Sequence, residues 1–245
     1  MKITQYIKNK IERLPKGYVF TYDDFIGEVD SVEAVVKALN RMVDAGTIAK
    51  LSKGKYYKPE ETVFGALGPD RREVVKDLLE KNGKLIGYLT GYSIYNELGF
   101  TTQVSNTIQI GRAKPRPATK RGRYKIKFIV QKNTITKENV PLLQLLDVIR
   151  YIKEIPDASI DNSCQRMIAL LREREPDFKS LVRLVKNYPP ATRALLGAIL
   201  EYVSDDFINN PFNITSLKNT LNPITKYQLK ISESALPTKD HWNII

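Results

Sequence analysis

The sequence predicts an α+β protein, on three observations. Apolar residues recur at helical spacing near the N-terminus and are followed by a short basic turn between strand-like runs. The middle carries runs of period two, of which Tyr124–Val130 (YKIKFIV) is the clearest. From Val140 onward, amphipathic segments follow one another with short loops. Spacing of three to four marks helix faces and spacing of two marks strand faces. The expected organisation has three parts: residues 1–60, a small α/β unit over 61–133, and a mostly helical region over 134–245 packed on it.

In the first part, Ile3, Ile7 and Ile11 define one helix face, stopped by Pro15 and Gly17. Tyr18-Val19-Phe20 reads as a strand. Thr21-Tyr22-Asp23-Asp24 opens a second helix, because a Thr hydroxyl and a carboxylate three residues later can cap each other's free backbone N–H groups. That makes Asp23-Asp24 a capping pair rather than metal ligands. Asp30-Ser31 opens a third helix, whose stripe is Val32, Val35, Val36, Leu39, Met42 and Val43, and Gly46 ends it. Thr47–Leu51 and Tyr56–Lys58 then flank the turn Ser52-Lys53-Gly54-Lys55. Helix, strand, helix, helix, hairpin is the order of a winged helix-turn-helix. In such modules the second helix of the pair enters the major groove. Its outer face here offers Ser31, Lys37, Asn40 and Arg41; Lys and Arg suit guanine, and Asn suits adenine. Lys50, Lys53 and Lys55 on the wing would neutralise phosphates. Winged helices also dock proteins, and Glu33 and Asp44 on the same helix keep that alternative open.

The middle begins with a linker over 59–68 and a helix over Arg71–Lys81 carrying Val74, Val75, Leu78 and Leu79. Thr90–Leu98 reads as a helix in which Gly91 permits close packing. Thr107–Ile110 and Tyr124–Val130 read as strands. Between these strands runs RAKPRPATKRGRYKIK, where Pro115 and Pro117 oppose a helix. Arg112, Lys114, Arg116, Lys120, Arg121 and Arg123 make this hairpin loop a candidate for contact with a DNA or RNA backbone; the alternative is a solvated basic loop.

Several of these stretches resemble one family. Gly17–Phe25, Ala45–Tyr57, Leu89–Ser93 (LTGYS) and Gln103–Ile110 (QVSNTIQI) are similar to the AbiEi-type antitoxins, bacterial regulators of type IV toxin–antitoxin systems, over roughly residues 1–200. The resemblance implies DNA binding by the N-terminal domain at the protein's own promoter. It also implies antagonism of a nucleotidyltransferase-type toxin, with no stable complex required.

In the last part, Val140–Ile155, Ser163–Arg174, Phe178–Val185 and Thr192–Val203 read as helices, with Leu143, Leu146, Ile149 and Ile152 facing inward. Phe212–Leu221 is a further short helix and Tyr227–Ile231 a strand.

Charge follows the same division. The three parts carry net charges of +3, +8 and +1, together the formal +12, and Gly111–Lys132 holds nine basic residues and no acid. A basic excess of this kind points to a polyanionic partner. No apolar run is long enough for a membrane span and the N-terminus lacks the pattern of a signal peptide, so a cytoplasmic protein is expected. Catalytic patterns are missing. The one histidine, His241, and the one cysteine, Cys164, are far apart and too few for zinc, and no phosphate-binding glycine loop occurs. The expectation is a regulator without catalytic residues, metal or cofactor. The alternative is a protein-interaction adaptor, or a nucleic-acid binder without regulatory role.

Overall fold

The computed structural model describes residues 3–27, 29, 31–63, 65–204 and 214–245. The chain is α+β. It forms two compact units. The first comprises Met1–Asp77 and Thr119–Lys125, the second Leu78–Ala118 and Ile126–Ile245. This division departs from the three-part reading. The helical region and most of the middle share one core, and the tip of the basic hairpin belongs with the N-terminal module.

The first unit runs α1 (Ile3–Glu12), β1 (Val19–Thr21), a 3-10 turn (Tyr22–Phe25), α2 (Val32–Asp44), β2 (Ala49–Ser52) and β3 (Lys55–Tyr57). Its sheet has the order β1-β3-β2, with β3 antiparallel to both neighbours. This is the topology of a winged helix-turn-helix. Ile7, Ile11, Phe20, Phe25, Val35, Leu39 and Tyr56 form the core. Phe20 meets Phe25 edge-on at 5.7 Å and stacks on Tyr56 at 6.3 Å, arrangements that suit the charge distribution of aromatic rings.

The capping box at Thr21 forms as expected: Thr21 Oγ1 accepts from the Asp23 amide, and the Thr21 amide donates to Asp24 Oδ2 at 2.7 Å. The helix it opens is a single 3-10 turn. Ile26 is already extended, and Gly27 has φ +123°, which no helix tolerates. Ser31 caps α2, its Oγ accepting from the Ala34 amide; Asp30 lies outside the described residues. The buried face of α2 is Val35, Ala38, Leu39 and Met42. Val32, expected in that stripe, is 45% exposed, because the first helical residue lies past the buried stretch.

Residues expected to link the parts instead form a small hairpin, β4 (Glu60–Thr62) and β5 (Gly65–Leu67). Then comes α3 (Arg71–Leu79). Its early turns are tied to β1: the Val19 amide donates to Glu73 Oε2 at 2.9 Å, and Lys76 Nζ sits 3.4 Å above the Tyr18 ring. These contacts move the boundary of the first unit from residue 60 to residue 77.

After α3 come β6 (Glu80–Lys81), β7 (Lys84–Leu85), β8 (Tyr88–Thr90), β9 (Thr107–Arg112), β10 (Thr119–Arg121) and β11 (Tyr124–Val130). The larger sheet has the order β10-β11-β9-β8. On β11, Lys125 and Lys127 are exposed and Ile126 is fully buried, as the period-two pattern predicts. The helix expected over Thr90–Leu98 does not form. Only a 3-10 turn (Gly91–Ser93), ended at Ile94 with φ −125° and ψ −12°, and further turns follow β8. Close packing at Gly91 is real, since a Cβ there would lie 2.0 Å from Gln109 Oε1.

The second unit continues with α4 (Asn139–Arg150), α5 (Ile160–Arg174), α6 (Phe178–Val185), α7 (Pro190–Ser204) and α8 (Ile214–Lys218). Leu143, Leu146, Ile149 and Ile152 all point into a core shared with Tyr88 of β8. The start of the short helix expected from Phe212 lies outside the described residues. The strand expected at Tyr227–Ile231 reduces to one bridge, Tyr227 with Ile244. Near the C-terminus, Trp242 is buried against Gly197 of α7, and its Nε1 donates to Glu201 Oε2 at 2.6 Å. His241 is exposed and pairs with the same carboxylate. Among the described residues, no helix is long and apolar enough to cross a membrane.

Candidate nucleic-acid interface

The outward face of α2 carries Ser31, Val32, Glu33, Lys37, Asn40 and Arg41. Ser31 spends its hydroxyl on the helix cap. Lys37 lies 3.9 Å from Glu33, one turn back, an exposed pair that solvent weakens to a few tenths of a kcal/mol at most. The Lys37 ammonium therefore stays recruitable. Asn40 Oδ1 accepts from Tyr56 Oη at 3.1 Å, which fixes the amide while leaving its NH2 group to donate outward. Arg41 is exposed in the last turn.

The wing is a two-residue turn. Gly54 takes φ +71°, the left-handed geometry that a tight hairpin needs. Lys50 and Lys53 are exposed. Lys55 is not free: its ammonium lies 3.1 Å from Asp77 Oδ2, and its side chain is only 19% exposed.

Asp77 also organises the second basic hairpin. Arg121 on β10 is buried and grips it with both guanidinium nitrogens, Nη2 at 2.9 Å from Oδ2, while Nη1 also donates to the Val74 carbonyl at 2.8 Å. Burial pushes the Asp77 carboxyl up. The hydrogen bonds and charges of Arg121 and Lys55 outweigh that and hold it below its ordinary value. It is thus a carboxylate at neutral pH. Two of the expected nucleic-acid contacts, Lys55 and Arg121, are instead structural cations around one acid.

That clamp places a second turn beside the wing. Gly122, with φ +53°, lies against β2, where a Cβ would be in ordinary contact with Leu51 Cδ1 at 3.4 Å. Next to it, Lys120 and Arg123 are exposed, and Arg123 lies over the Tyr124 ring at 5.0 Å. The first unit therefore presents two adjacent basic turns, around Lys53-Gly54 and around Gly122-Arg123. Sequence reading found the wing turn and took the second basic run as one hairpin loop; it missed β10, the turn at Gly122 and Asp77. An acid on α3, paired with cations distant along the chain, leaves no local pattern.

The rest of the basic run lies in the second unit. Arg112 and Arg116 both lie over the Phe128 ring, at 5.7 and 5.4 Å, and Lys114 is exposed. These arginines cover an aromatic face as well as carrying charge. Among the described residues, no group of three His, Cys, Asp or Glu could hold a metal ion.

Fold and surface together define a protein with an N-terminal winged helix, widened by a second basic hairpin. The chain belongs to a family of unknown function, DUF6088, whose model matches residues 6–179. Among solved structures it is similar to the RV2827C protein from Mycobacterium tuberculosis, at 14% identity and a TM-score of 0.58, covering 91% of this chain and 83% of that one. At that identity the likeness concerns the fold alone. No curated protein matches.

Proposed function

We propose that this chain is a DNA-binding transcriptional autoregulator in the cytoplasm, without enzymatic activity, and the antitoxin of a type IV toxin–antitoxin pair. The observation that carries the DNA-binding part is the pair of adjacent basic turns, together with the exposed Lys37 and Arg41 of α2. A helix in the major groove needs phosphate contacts beside it to fix its register. Lys50, Lys53, Lys120 and Arg123 are available for that task. The antitoxin part rests on the resemblance of Gly17–Phe25, Ala45–Tyr57, Leu89–Ser93 and Gln103–Ile110 to the AbiEi type.

The test is binding to a duplex from the gene's own upstream region against a scrambled duplex, read by fluorescence anisotropy at two salt concentrations. Specific regulation requires a preference for the upstream duplex that survives the higher salt. Equal binding that collapses with salt refutes it. For the antitoxin part, co-expression with a neighbouring nucleotidyltransferase gene must restore growth.

One observation favours a second reading, a protein-docking adaptor. Val32 is 45% exposed on the same face as Glu33, which suits an apolar protein contact better than a phosphate backbone. Retained function after loss of Lys50 and Lys53 would select it.

A further inference from the structure

The second unit contains a cleft of about 400 Å³ that plays no part in the interface described above. Three basic residues from three elements line it: Lys132 just past β11, Arg150 in the last turn of α4, and Lys186 just past α6. Among the described residues, no acid lines it. Lys132 and Lys186 have no ion-pair partner among the described residues, and Arg150 lies over the Tyr151 ring at 5.0 Å.

The polar floor of the cleft is buried and internally hydrogen-bonded. Gln131 and Tyr188 line it and are buried, at 4% and 5% exposure. Gln131 Nε2 donates to Tyr188 Oη at 2.7 Å and to Tyr88 Oη at 2.9 Å. Gln131 Oε1 accepts from the Asn133 amide and from Asn133 Nδ2. Asn187, also in the lining, donates to Asn133 Oδ1 at 2.7 Å. Behind this floor, Asp147 is fully buried and accepts hydroxyl hydrogen bonds from Tyr88, Thr90 and Tyr188 at 2.6, 2.7 and 2.9 Å. A carboxyl so enclosed is pushed up by burial, against the pull of those hydroxyls, and is a poor counter-charge for the cleft. The cleft wall is completed by Pro189 and Pro190, where α7 begins; the positive end of its dipole is opposed by the C-terminal ends of α4 and α6, so the cleft's positive charge comes from its side chains.

Three cations without a lining acid match a group carrying two negative charges. Arginine adds paired donors suited to phosphate oxygens. The volume is that of a small-molecule site and is too small for a duplex. We propose that this cleft binds a small phosphomonoester, with the phosphate among Lys132, Arg150 and Lys186 and the remainder of the molecule against the proline wall. The competing account is that Arg150 and Lys186 only complement the C-terminal ends of α4 and α6.

Calorimetric titration of the full chain separates the two, using ribose 5-phosphate and AMP against ribose and adenosine at constant ionic strength. The expected result is that at least one phosphorylated probe binds and its unphosphorylated match does not. Lys186→Ala, at an exposed position, and Arg150→Ala should each weaken that binding by about tenfold or more. Their far-UV circular dichroism should match that of the parent chain. The proposal is overturned if neither phosphorylated probe binds at millimolar concentration, if the unphosphorylated matches bind equally, or if both variants bind as tightly as the parent chain.

Discussion

On the proposed DNA-binding role, replacing Lys53 by Ala should change the salt dependence of duplex binding by a definite amount, and replacing Lys55 should not. Lys37, Arg41, Lys50, Lys53, Lys120 and Arg123 are exposed on α2, the wing and the second hairpin. Each cation that neutralises a phosphate adds about −0.9 to the slope of log K against log salt, so six such contacts would set a slope of about −5.4. Over a fourfold rise in salt, that slope corresponds to about three decades of affinity. Lys53→Ala should therefore bring the slope to about −4.5, with similar losses of affinity on every sequence. Lys55 is already neutralised by Asp77 at 3.1 Å, so Lys55→Ala should leave the slope unchanged. Anisotropy titrations of one labelled duplex across a salt series measure both. An unchanged slope for Lys53→Ala together with a loss of about one for Lys55→Ala would refute the division into free and structural cations.

Three further outcomes follow from the second unit. Gly197→Ala would place a Cβ 2.1 Å from Cζ3 of the buried Trp242 ring, which Glu201 holds in place. Overpacking of about 3 kcal/mol should outweigh the roughly 1 kcal/mol gained in helix preference, for a net loss of about 2 kcal/mol in urea unfolding followed through the one tryptophan. Burial raises the folded-state pKa of Asp147. Its contribution to stability is therefore full below its unfolded pKa of about 3.9 and is lost as pH rises through the folded value, by up to about 1.4 kcal/mol per pH unit. Urea midpoints of Asp147→Asn should lack that decline, and an identical pH profile for the two proteins would refute the assignment. Burial and the charge of Asp161 push the Cys164 thiol up to about 12, so a thiol reagent should modify it only after denaturation.

The sequence by itself determined the local elements. Thr21 and Asp24 mark a cap, Ser31 marks the start of α2, Gly46 and Gly54 mark turns, and the alternation in YKIKFIV marks β11 with Lys125 and Lys127 outward. These signals are legible because each depends on residues within one or two turns of each other. It also supplied most of the candidate interface, since Lys37, Arg41, Lys50 and Lys53 stand exposed where periodicity puts them. Some local readings still failed. The helix expected over 90–98 ends after one 3-10 turn that opens on a left-handed Gly91, and Gly27 shortens the one opened by Thr21. Glycine tolerates both hands, and only its surroundings select one.

What the tertiary structure alone decided is which charges are free. Asp77 meets Lys55 across 22 positions and Arg121 across 44, and this converts two apparent contact residues into a clamp. The same holds for Asp147, whose partners Tyr88, Thr90 and Tyr188 come from two other segments of the chain. Charge pairing and burial depend on distance in space, and composition records only that the charges exist.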